Sequence, residues 1–390
     1  MIEDTFSKEE YARYSRHFIL PEINVEGQKK MKNAKVLVIG AGGLGSPVLL
    51  YLAAAGIGTI GIVDFDLIDE GNLQRQIIYT TNDVGKPKAV VAKERILALN
   101  PHITVNLHQV RLDSSNALDI ISQYDVVVDG TDNFPTRYLV NDACVLAGKP
   151  DVFGSIFRFE GQVAVFNYFD EDTQSYTANY RDIFPEPPAP GEVPNCAEGG
   201  VLGVLPGIIG SIQTNEVIKI VCGIGDVLAG KLLLLDTLSF LTRTIKIKKS
   251  EDNPISGLNP TITELIDYEE FCGIPSAQIQ QKEELKEIDV FTLNQLLTDS
   301  EKTVQVIDVR EPYEYEISNI GGELIPLSKI ESAASKISDA DYVVIHCRTG
   351  VRSTKAIKKL LQISSYDNLY NLKGGILSWI DEIDNSLPRY

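Results

Sequence analysis

The segment Lys35-Val-Leu-Val-Ile-Gly40-Ala-Gly-Gly-Leu-Gly45 is the clearest structural signal in the first part of this 390-residue chain. Its four apolar residues before the first glycine predict a short buried strand. The glycines fit the pattern Gly-x-Gly-x-x-Gly, and residues 44–55 behind them predict a helix. Glycines let a phosphate approach the backbone closely, and the N-terminus of a helix favours negative charge. The sequence therefore predicts a nucleotide-binding turn between a strand and a helix.

Strand and helix signals alternate after this turn. Residues 59–63 predict a second strand, residues 87–99 a helix, and residues 103–110 and 125–128 two further strands. This alternation predicts a doubly wound, mostly parallel, Rossmann-like α/β sheet. Asp64 follows the second strand, where an acidic side chain accepts hydrogen bonds from ribose hydroxyls in such folds.

A second, smaller α/β unit is predicted towards the end of the sequence. Residues 304–308 and 342–346 are its clearest strand signals, and residues 353–361 predict a helix. Charged residues 283–287 are typical of a linker. We therefore predict a first domain over residues 1–272, a linker over 273–288 and a second domain over 289–390.

Composition restricts the function classes. The 44% hydrophobic and 23% charged residues are typical of a globular protein. The net charge of −18 speaks against a nucleic-acid surface, which needs clustered Lys and Arg. The longest apolar run, residues 201–212, is broken by glycines and Pro206, and it is shorter than the roughly 20 residues that cross a membrane. Neither nucleic acid nor membrane is an expected partner.

Cysteine usage indicates a reducing compartment. The five cysteines are Cys144, Cys196, Cys222, Cys272 and Cys347, and no two of them have C-x-x-C spacing. An odd, sparse set does not form a disulfide framework. The first residues lack a basic region followed by an apolar stretch, so no signal peptide is predicted. We expect a cytoplasmic protein.

Polar residues downstream of the glycine turn distinguish the candidate nucleotides. Arg75 and Lys88 supply cations, and a triphosphate needs them because charge moves onto the leaving pyrophosphate when the α-phosphate is attacked. Asp132, in Thr131-Asp132-Asn133, is placed to hold Mg²⁺ together with phosphate oxygens. The alternative makes the cations solvated surface charges and Asp132 a helix cap. An NAD-dependent oxidoreductase shares the glycine turn and the acidic residue but does not need the cations.

Together these motifs resemble the MoeB/ThiF (HesA) family of enzymes that activate ubiquitin-like proteins. The resemblance covers roughly residues 8–272 and also includes Arg13-Tyr-Ser-Arg16 and Asp64-Phe-Asp66. It implies a homodimer that uses ATP to adenylate the C-terminal glycine of a small sulfur carrier of the MoaD or ThiS type, which ends in Gly-Gly. It also implies that Arg16 reaches the phosphates in the partner subunit's site. The ATP site implied in this chain comprises Gly40, Gly42, Gly43, Gly45, Asp64, Asn72, Leu73, Gln74, Arg75, Lys88, Asp132 and Asn133.

The sequence departs from that family at a structural zinc site. Family members commonly hold zinc with two C-x-x-C pairs, whereas Asn179-Tyr-Arg-Asp182 and Asn253-Pro-Ile-Ser256 occupy the matching positions here. Amide, hydroxyl and single carboxylate groups bind zinc poorly compared with four thiolates. We therefore predict no structural zinc, with packing or hydrogen bonds joining the two segments instead.

Cys196 lies in a Gly-rich segment that also contains Pro194. Family members fused to a sulfur-transfer domain carry a functional cysteine at the matching position, so the resemblance implies a catalytic thiol that forms a thioester or resolves an acyl disulfide. The alternative is a small buried residue in a turn. The apolar neighbours of Cys144, Cys222 and Cys272 indicate packing roles.

Cys347 follows the predicted strand 342–346 in His346-Cys-Arg-Thr-Gly-Val-Arg-Ser353. Backbone N–H groups of such a loop, the following helix and Arg348 or Arg352 would stabilise a thiolate or persulfide anion. Arg352 follows the cysteine by five positions rather than the six of tyrosine phosphatases, and the tighter loop suits a sulfur atom better than a phosphate. With Gly350 and the segments 308–313 and 372–376, the loop resembles a rhodanese domain over residues 288–390.

The combined motifs predict an adenylyltransferase and sulfurtransferase. Arg16, Arg75 and Lys88 would stabilise the adenylation transition state, and Cys347 would carry a persulfide from a cysteine desulfurase or thiosulfate to make a carrier thiocarboxylate. Molybdopterin biosynthesis is the favoured pathway, with thiamin or another thiolation route as alternatives. A second hypothesis is a thioester-forming activator that uses Cys196 and keeps the rhodanese domain as a docking module.

Overall fold

A computed structural model describes residues 6–188, 199–273 and 285–390. The chain divides into two compact units, Met1–Gln278 and Ile279–Tyr390. Each has its own hydrophobic core. None of the helices in the described ranges combines the length and hydrophobicity that crossing a membrane requires.

The first unit contains a mixed sheet flanked by helices. Its strands are β1 (Lys35–Ile39), β2 (Thr59–Val63), β3 (Thr104–His108), β4 (Val126–Asp129), β5 (Asp151–Phe157), β6 (Glu160–Phe166), β7 (Phe169–Asp170), β8 (Ser175–Tyr176), β9 (Lys231–Asp236) and β10 (Leu241–Lys246). Its described helices are α1 (Lys8–Arg13), α2 (Ser15–Phe18), α3 (Asn24–Asn33), α4 (Gly45–Ala55), α5 (Lys88–Leu99), α6 (Ala117–Ile121), α7 (Phe134–Ala147), α8 (Leu205–Cys222) and α9 (Tyr268–Phe271).

The strand order of the main sheet is β10-β9-β6-β5-β4-β1-β2-β3 within the described ranges. The strands from β3 to β5 pair in parallel, which confirms the predicted doubly wound arrangement. The pairs β5-β6, β6-β9 and β9-β10 are antiparallel, an arrangement that the sequence did not predict. The order reverses at β1, so the carboxyl ends of β1 and β4 border the crevice where open α/β sheets bind ligands.

Strand β1 is apolar because both of its faces are covered. Val36 and Val38 lie in one hydrophobic cluster, while Leu37 and Ile39 lie in the cluster on the opposite face. A strand buried on both sides reads as a continuous hydrophobic run rather than an alternating one. This burial fixes the position of the glycine turn that follows.

The glycine turn packs directly against the end of β4. Gly40 has a φ of +89°, and a Cβ on Gly45 would lie 1.9 Å from the Gly40 carbonyl oxygen. A Cβ on Gly130, which follows β4, would lie 3.0 Å from the Ile39 carbonyl oxygen. Glycine adopts the positive φ of residue 40 without strain, and at position 130 it leaves room for the Ile39 carbonyl oxygen. The turn therefore sits at the reversal point of the sheet.

The second unit is a smaller, parallel α/β fold. Its sheet has the order β11-β15-β14-β12-β13 among the described residues, with every pairing parallel. Its strands are β11 (Glu287–Ile288), β12 (Val304–Asp308), β13 (Glu323–Leu324), β14 (Tyr342–His346) and β15 (Leu369–Leu372). Its helices are α10 (Val290–Thr298), α11 (Pro312–Ile317), α12 (Val351–Ile363) and α13 (Gly375–Glu382).

The second unit begins earlier than the predicted residue 289. Glu287 and Ile288 fall in the predicted linker, yet they pair with Asn371 and Leu372 of β15. Ile288 is buried, whereas Glu287 remains exposed at the edge of the sheet. A strand of two residues inside a charged segment has no periodic pattern, so it could not be predicted from the neighbouring residues alone.

Candidate functional site

Asp64 holds the glycine turn in place. Its Oδ2 accepts a hydrogen bond of 2.8 Å from the Ala41 N–H, and its Oδ1 accepts one of 2.9 Å from the Asp66 N–H. Burial raises the pKa of Asp64, opposed by the Ala41 hydrogen bond and the charge of Lys88. The carboxylate predicted to bind ribose hydroxyls thus also orders the backbone of the turn.

The segment that contains Asn72 and Arg75 folds back over the glycine turn. A 3-10 turn at Glu70–Asn72 is capped by Asp69, whose Oδ1 accepts from the Gly71 N–H at 2.8 Å. Arg75 donates from Nη1 to the Gly71 carbonyl at 3.0 Å, and its Cδ lies 3.7 Å from the place of a Cβ on Gly43. The Arg75 side chain therefore lies against the glycine turn.

The start of α8 closes another side of the same turn. A Cβ on Gly43 would lie 3.3 Å from Pro206 Cγ. A Cβ on Gly203 would lie 2.3 Å from the Gln74 carbonyl oxygen, so the chain before α8 packs on the segment with Leu73 and Gln74. The predicted residues around Gly42 and Gly43 and those around Arg75 therefore form one neighbourhood.

Lys88 is a buried cation at the start of α5. Its side chain is 8% exposed, and its Nζ lies 2.9 Å from Asp66 Oδ2. Asp66 also accepts the Lys88 backbone N–H through its carbonyl oxygen at 2.9 Å. Lysine is rarely buried unless it is paired. The fold therefore holds this ammonium group close to Asp64 and the end of β2.

The segment after β4 separates the roles of Asp132 and Asn133. Asn133, not Asp132, is the N-cap of α7, because its Oδ1 accepts from the Thr136 N–H at 3.0 Å. The helix-cap alternative for Asp132 is therefore wrong. Asp132 is exposed, and within the described ranges its carboxylate makes no hydrogen bond. That carboxylate remains available to a ligand at the carboxyl edge of the sheet.

Several buried polar atoms near this edge lack a hydrogen-bond partner among the described residues, including Asp129 Oδ2 at the end of β4. Gln76 Oε1 and Thr131 Oγ1 form no hydrogen bond in the part of the chain that the structure describes. Gln76 Nε2 lies 3.6 Å from the place of a Cβ on Gly42, and Thr131 follows Gly130. Buried polar groups are nearly always paired, so both atoms are consistent with a polar ligand in the crevice.

Arg137 is a residue of this region that the sequence reasoning missed. It lies one helical turn after Asn133 and donates to the Thr131 carbonyl at 3.3 Å and to Ser155 Oγ at 3.4 Å. Its guanidinium also lies 5.1 Å from the centre of the Phe153 ring. An arginine in the first turn of the helix behind Thr131-Asp132-Asn133 was the available sequence signal.

Arg16 lies apart from these contacts. It is exposed on α2, and within the described ranges it forms no hydrogen bond or ion pair. Ile19 and Leu20 follow it with 69% and 44% of their surfaces exposed. The single chain thus presents Arg16 beside exposed apolar side chains.

The segments at the family's zinc position are joined by hydrogen bonds. Asn179 Nδ2 donates to Ser256 Oγ at 2.8 Å, and Asn253 Nδ2 donates to Asn179 Oδ1 at 3.3 Å. Asp182 accepts from the Asn179 N–H and the Ser250 N–H, both at 2.8 Å. We call Asn179, Asp182, Asn253 and Ser256 the polar clasp. Its amide and hydroxyl groups do not fit zinc, which prefers thiolate and imidazole ligands.

A buried ion pair adjoins the polar clasp. Arg181 donates from Nε and Nη2 to the two oxygens of Asp142, each at 2.8 Å. The Tyr268 hydroxyl donates to Asp142 Oδ2 at 2.8 Å, which ties α9 to α7. Two hydrogen bonds and an aromatic donor satisfy the buried carboxylate, as a charge in a low-dielectric interior requires.

In the second unit, Cys347 lies at the base of the predicted loop. The thiol is buried, with the residue 1% exposed, and Sγ accepts from the Gly350 N–H at 3.2 Å. The Ser353 hydroxyl lies 3.6 Å from the sulfur. Gly350 is the N-cap of α12, with a φ of +98°. The Gly350 N–H therefore points at the sulfur, and backbone donors of this kind stabilise a sulfur anion. The Ser353 hydroxyl has a closer acceptor in Asn371 Oδ1, at 2.7 Å.

Helix α13 fixes the cysteine loop from the other side. The Ile376 N–H donates to the Cys347 carbonyl at 2.9 Å, and the Leu377 N–H donates to the Arg348 carbonyl at 3.2 Å. A Cβ on Gly375 would lie 2.5 Å from the Cys347 carbonyl oxygen. Glycine at this position is therefore needed for the close approach of loop and helix.

The two loop arginines differ in their partners. Arg352 donates two hydrogen bonds of 2.6 Å to Glu314, and Arg348 donates from Nε to the Tyr390 carbonyl at 2.8 Å. Burial raises the pKa of Glu314, but the hydrogen bonds from Arg352 and the Glu311 backbone outweigh it and leave that pKa lowered. Glu314 and Tyr390 are partners that the sequence reasoning missed, because each is distant in sequence.

The remaining cysteines divide into two groups. Cys144, Cys222 and Cys272 are buried, as predicted. Burial raises the pKa of the Cys272 thiol to about 11 and also raises the pKa of Cys144 and Cys222. Such thiols are poor nucleophiles at neutral pH. Cys196 lies outside the described residues, so its predicted role stays a prediction.

Each of the two units matches the model of a known protein family. The ThiF family model matches residues 14–255, and the rhodanese-like domain model matches residues 292–382. In solved structures, the fold resembles the crystal structure of E. coli MccB with MccA-N7isoASN, with a TM-score of 0.56, 24% sequence identity and coverage of 65% of this chain and 76% of that chain.

Similar proteins extend over the whole chain. The probable adenylyltransferase/sulfurtransferase MoeZ of Mycobacterium tuberculosis (strain CDC 1551 / Oshkosh) is 50% identical over 387 residues, which cover 98% of this chain and 96% of that protein. The adenylyltransferase and sulfurtransferase MOCS3 of Drosophila grimshawi is 41% identical over 397 residues, covering 98% and 87%. The sulfur carrier protein adenylyltransferase of Thermus thermophilus is 53% identical over 269 residues, covering 69% and 99%. The chain therefore belongs to the ThiF family, as an adenylyltransferase/sulfurtransferase in which a rhodanese-like domain follows the ThiF domain.

Proposed function

We propose that this protein adenylates the C-terminal glycine of a ubiquitin-like sulfur carrier and then replaces the adenylate with sulfur carried on Cys347. The observation that carries the proposal is the position of two cations, Arg75 against the glycine turn and Lys88 against Asp66, in a chain that also holds a cysteine loop. The names of similar proteins support it, since the Thermus relative is called a sulfur carrier protein adenylyltransferase.

ATP would occupy the crevice at the reversal point of the main sheet. Its phosphates would lie against the glycine turn and the N-terminus of α4, where backbone N–H groups and the helix dipole favour anions. Asp64 would accept the ribose hydroxyls, and Asn72 and Asn133 would line the same crevice. Gln76 and Thr131, whose buried oxygen atoms lack protein partners among the described residues, would supply further polar contacts.

Asp132 would hold Mg²⁺ together with the phosphates. The described residues contain no cluster of three or more acidic, His or Cys side chains arranged to bind a metal ion. A single exposed carboxylate fits Mg²⁺, which usually keeps several waters and shares phosphate oxygens. When bound, the ion neutralises phosphate charge. Asp132 contributes the protein ligand and so orients the triphosphate.

In the first step the carrier carboxylate attacks the α-phosphorus of ATP. A bond forms between that phosphorus and a carboxylate oxygen, and the bond to the β-phosphate oxygen breaks, so pyrophosphate leaves with the electron pair. Negative charge grows on the leaving group, and Arg75, Lys88 and Arg16 of a partner subunit would stabilise it. The product is an acyl-adenylate, in which AMP is a good leaving group.

In the second step the terminal sulfur of a Cys347 persulfide attacks the acyl carbon. A C–S bond forms, the bond to AMP breaks, and the carrier is held as an acyl disulfide on Cys347. The thiolate of a second cysteine, for which we propose Cys196, then attacks the Cys347 sulfur. This releases the carrier thiocarboxylate and leaves a disulfide, which a dithiol reductant must reduce before the next turnover. The persulfide itself would come from a cysteine desulfurase or thiosulfate.

The surface of the first unit has features expected of a protein that binds other proteins. Strand β10 lies at an edge of the main sheet, and its turn exposes 72% of Leu238 and 74% of Phe240. Exposed apolar side chains beside an open strand edge favour partner docking. We propose that the carrier docks at this edge. The exposed Ile19 and Leu20 beside Arg16 support a homodimer in which Arg16 completes the partner's site.

For the pathway we propose molybdopterin biosynthesis in the cytoplasm, with thiamin biosynthesis or another thiolation route as the alternatives. The test is ATP–pyrophosphate exchange with and without a MoaD- or ThiS-type carrier. Exchange that needs one carrier supports adenylation and identifies the pathway. Absence of exchange with every carrier, in protein that binds ATP, would contradict the proposal.

The Cys347→Ala variant tests the sulfur-transfer step separately. We expect it to exchange pyrophosphate at the normal rate and to form no carrier thiocarboxylate, because the persulfide carrier is lost. Mass spectrometry of the carrier detects the difference of about 16 Da between carboxylate and thiocarboxylate. A covalent carrier adduct that survives in Cys347→Ala and disappears in Cys196→Ala would favour thioester formation instead.

A further inference from the structure

We propose that Tyr390 is a positioning residue of the Cys347 site, because it holds the Arg348 side chain beside the cysteine loop. This inference rests on the proposed role of Cys347 in sulfur transfer. Tyr390 is 42 residues from Arg348 and lies in no sequence motif that we identified. Its contacts in the folded chain assign it this role.

Tyr390 contacts the Arg348 guanidinium in two ways. Its carbonyl oxygen accepts a hydrogen bond from Arg348 Nε at 2.8 Å. Its ring centre lies 5.7 Å from the Arg348 Cζ, within the range of a cation–π contact. A hydrogen bond and a ring face together restrict both the position and the orientation of a long side chain.

Tyr390 is itself anchored on a buried group. Arg310 donates from Nη1 to the Tyr390 hydroxyl, and its Cζ lies 5.6 Å from the centre of the same ring. Arg310 is fully buried, and its Nε donates to both oxygens of Asp308 at 2.9 Å, while its Nη2 donates to the Ser318 carbonyl at 2.8 Å. Tyr390 therefore connects a rigid ion pair in the core to the arginine that follows Cys347.

Arg352 has a different partner from Arg348. Its two hydrogen bonds to Glu314 offset its charge and fix its side chain against α11. The two loop arginines thus have separate holders, Glu314 for Arg352 and Tyr390 for Arg348. Substitution of Tyr390 would weaken the contacts of Arg348 and leave the Glu314–Arg352 pair in place.

The chemistry at Cys347 gives a positioned cation a task. With thiosulfate as donor, the Cys347 thiolate attacks the outer sulfur, the sulfur–sulfur bond of thiosulfate breaks, and sulfite leaves with the electron pair. Cyanide then takes the terminal sulfur of the persulfide as thiocyanate and restores the thiolate. Thiosulfate and the persulfide are both anions, so a guanidinium held nearby strengthens donor binding.

The test compares Tyr390→Ala and Tyr390→Phe in the full-length protein, with thiosulfate and cyanide as substrates. Tyr390→Ala keeps the main-chain oxygen that accepts from Arg348 Nε, but it removes the ring that contacts Arg348 and the hydroxyl that accepts from Arg310. Loss of the ring contact and of this anchoring hydrogen bond corresponds to about tenfold in affinity. We expect Tyr390→Ala to raise the KM for thiosulfate about tenfold with little change in kcat. Tyr390→Phe keeps the ring and loses only the hydrogen bond from Arg310, so its KM should rise about threefold, less than in Tyr390→Ala. An unchanged KM in Tyr390→Ala would overturn the inference.

A double-mutant cycle with Arg348→Ala tests the connection itself. If Tyr390 acts through Arg348, then Tyr390→Ala should add nothing to the KM of the Arg348→Ala variant. An equal rise in both backgrounds would contradict the inference. Trp379, the single tryptophan, lies in α13 and reports by fluorescence whether the second unit is folded in each variant.

Alkylation of Cys347 separates this inference from the proposed function. The rate ratio of anionic iodoacetate to neutral iodoacetamide, measured by mass spectrometry on the Cys347 peptide, reports the positive charge beside the thiol. We expect this ratio to fall in Tyr390→Ala. An unchanged ratio would refute the positioning role even if sulfur transfer occurs. Absence of sulfur transfer in the parent protein would refute only the use of thiosulfate, since the ratio still tests Tyr390.

Discussion

At the scale of single residues, the first unit places two lysines near each other with different surroundings. Lys88 has an 8% exposed side chain and pairs with Asp66, whereas Lys86 has a 55% exposed side chain and pairs with Asp83. A cation held in a partly dry site acts more strongly on a developing charge than one in water. Lys86 is therefore a matched control for Lys88.

We predict that Lys88→Ala lowers kcat for carrier adenylation by about 10²–10³-fold, the usual loss for one transition-state donor. Lys86→Ala should remain within about twofold, because exposed charges contribute little. ATP–pyrophosphate exchange measures both, and circular dichroism verifies folding. Equal rates in the two variants would show that Lys88 has no special role. Lys88→Met, which keeps the apolar stem, separates lost charge from lost packing.

The Glu314–Arg352 pair predicts a pH dependence of stability. The pKa of Glu314 is lowered in the folded protein. A carboxyl group with a lowered folded-state pKa stabilises the fold above its unfolded pKa and loses that contribution as the pH falls through the folded pKa. The pair should therefore stabilise the second unit at pH 7 and stop doing so in acid.

We predict that Glu314→Gln lowers the free energy of unfolding of the second unit by about 1–3 kcal/mol at pH 7, the range for hydrogen bonds to charged groups. The difference from the parent protein should shrink as the pH falls below the ordinary glutamate range. Urea unfolding followed by Trp379 fluorescence reads the second unit alone, because the chain has a single tryptophan. A difference that stays constant down to pH 3 would contradict the assignment.

At the scale of elements, the sequence predicted what burial and local geometry determine. Strands β1, β2, β12 and β14 match the predicted residues because each is a short apolar run. Strand β10 was not predicted, since Leu241–Lys246 is exposed along its whole length and its extended form depends on pairing with β9. Its pattern carries little burial signal, and a long-range partner decides its structure.

The same distinction holds within the candidate sites. Residues from Gly40 to Gly45 and the Cys347 loop have local spacing that a single sequence reveals. Glu314 lies 38 residues before Arg352, and Tyr390 lies 42 residues after Arg348, so only the tertiary fold brings them together. The sequence could identify the groups that react but not the side chains that hold them.

The polar clasp is an element-scale feature with a measurable consequence. Asn179 is fully buried and bonds through its side chain to Ser256 and Asn253. We predict that Asn179→Ala destabilises the first unit by about 1–3 kcal/mol for each partner left unpaired. Thermal unfolding followed by circular dichroism measures the loss. The exposed Asn82→Ala is the control and should change stability by less than about 0.5 kcal/mol.

The zinc content of the purified protein tests the polar clasp in a second way. The purified protein should contain far less than equimolar zinc, and EDTA should leave its melting temperature unchanged, because hydrogen bonds rather than a metal join the two segments. If the protein contained equimolar zinc, and EDTA removed the zinc and lowered the melting temperature, the polar clasp would not be what joins the two segments.

At the scale of the whole molecule, one chain joins two units with separate cores and separate candidate sites. An acyl-adenylate is prone to hydrolysis, so the persulfide must reach it quickly. A covalent connection raises the local concentration of one site near the other to about the millimolar range. The fusion therefore matters for the rate of the combined reaction and not for either half-reaction.

We predict the consequence of separating Met1–Gln278 from Ile279–Tyr390, the two compact units. The first fragment should keep pyrophosphate exchange and the second its transfer of sulfur from thiosulfate to cyanide, since each has its own core and site. Thiocarboxylate formation should fall at micromolar fragment concentrations and recover as the second fragment approaches the millimolar effective concentration of the intact chain. If micromolar fragments matched the intact chain, the connection would play no part in bringing persulfide to adenylate. If activity failed to recover at high concentration while both half-reactions persisted, the units would have to cooperate in a way that requires the intact chain.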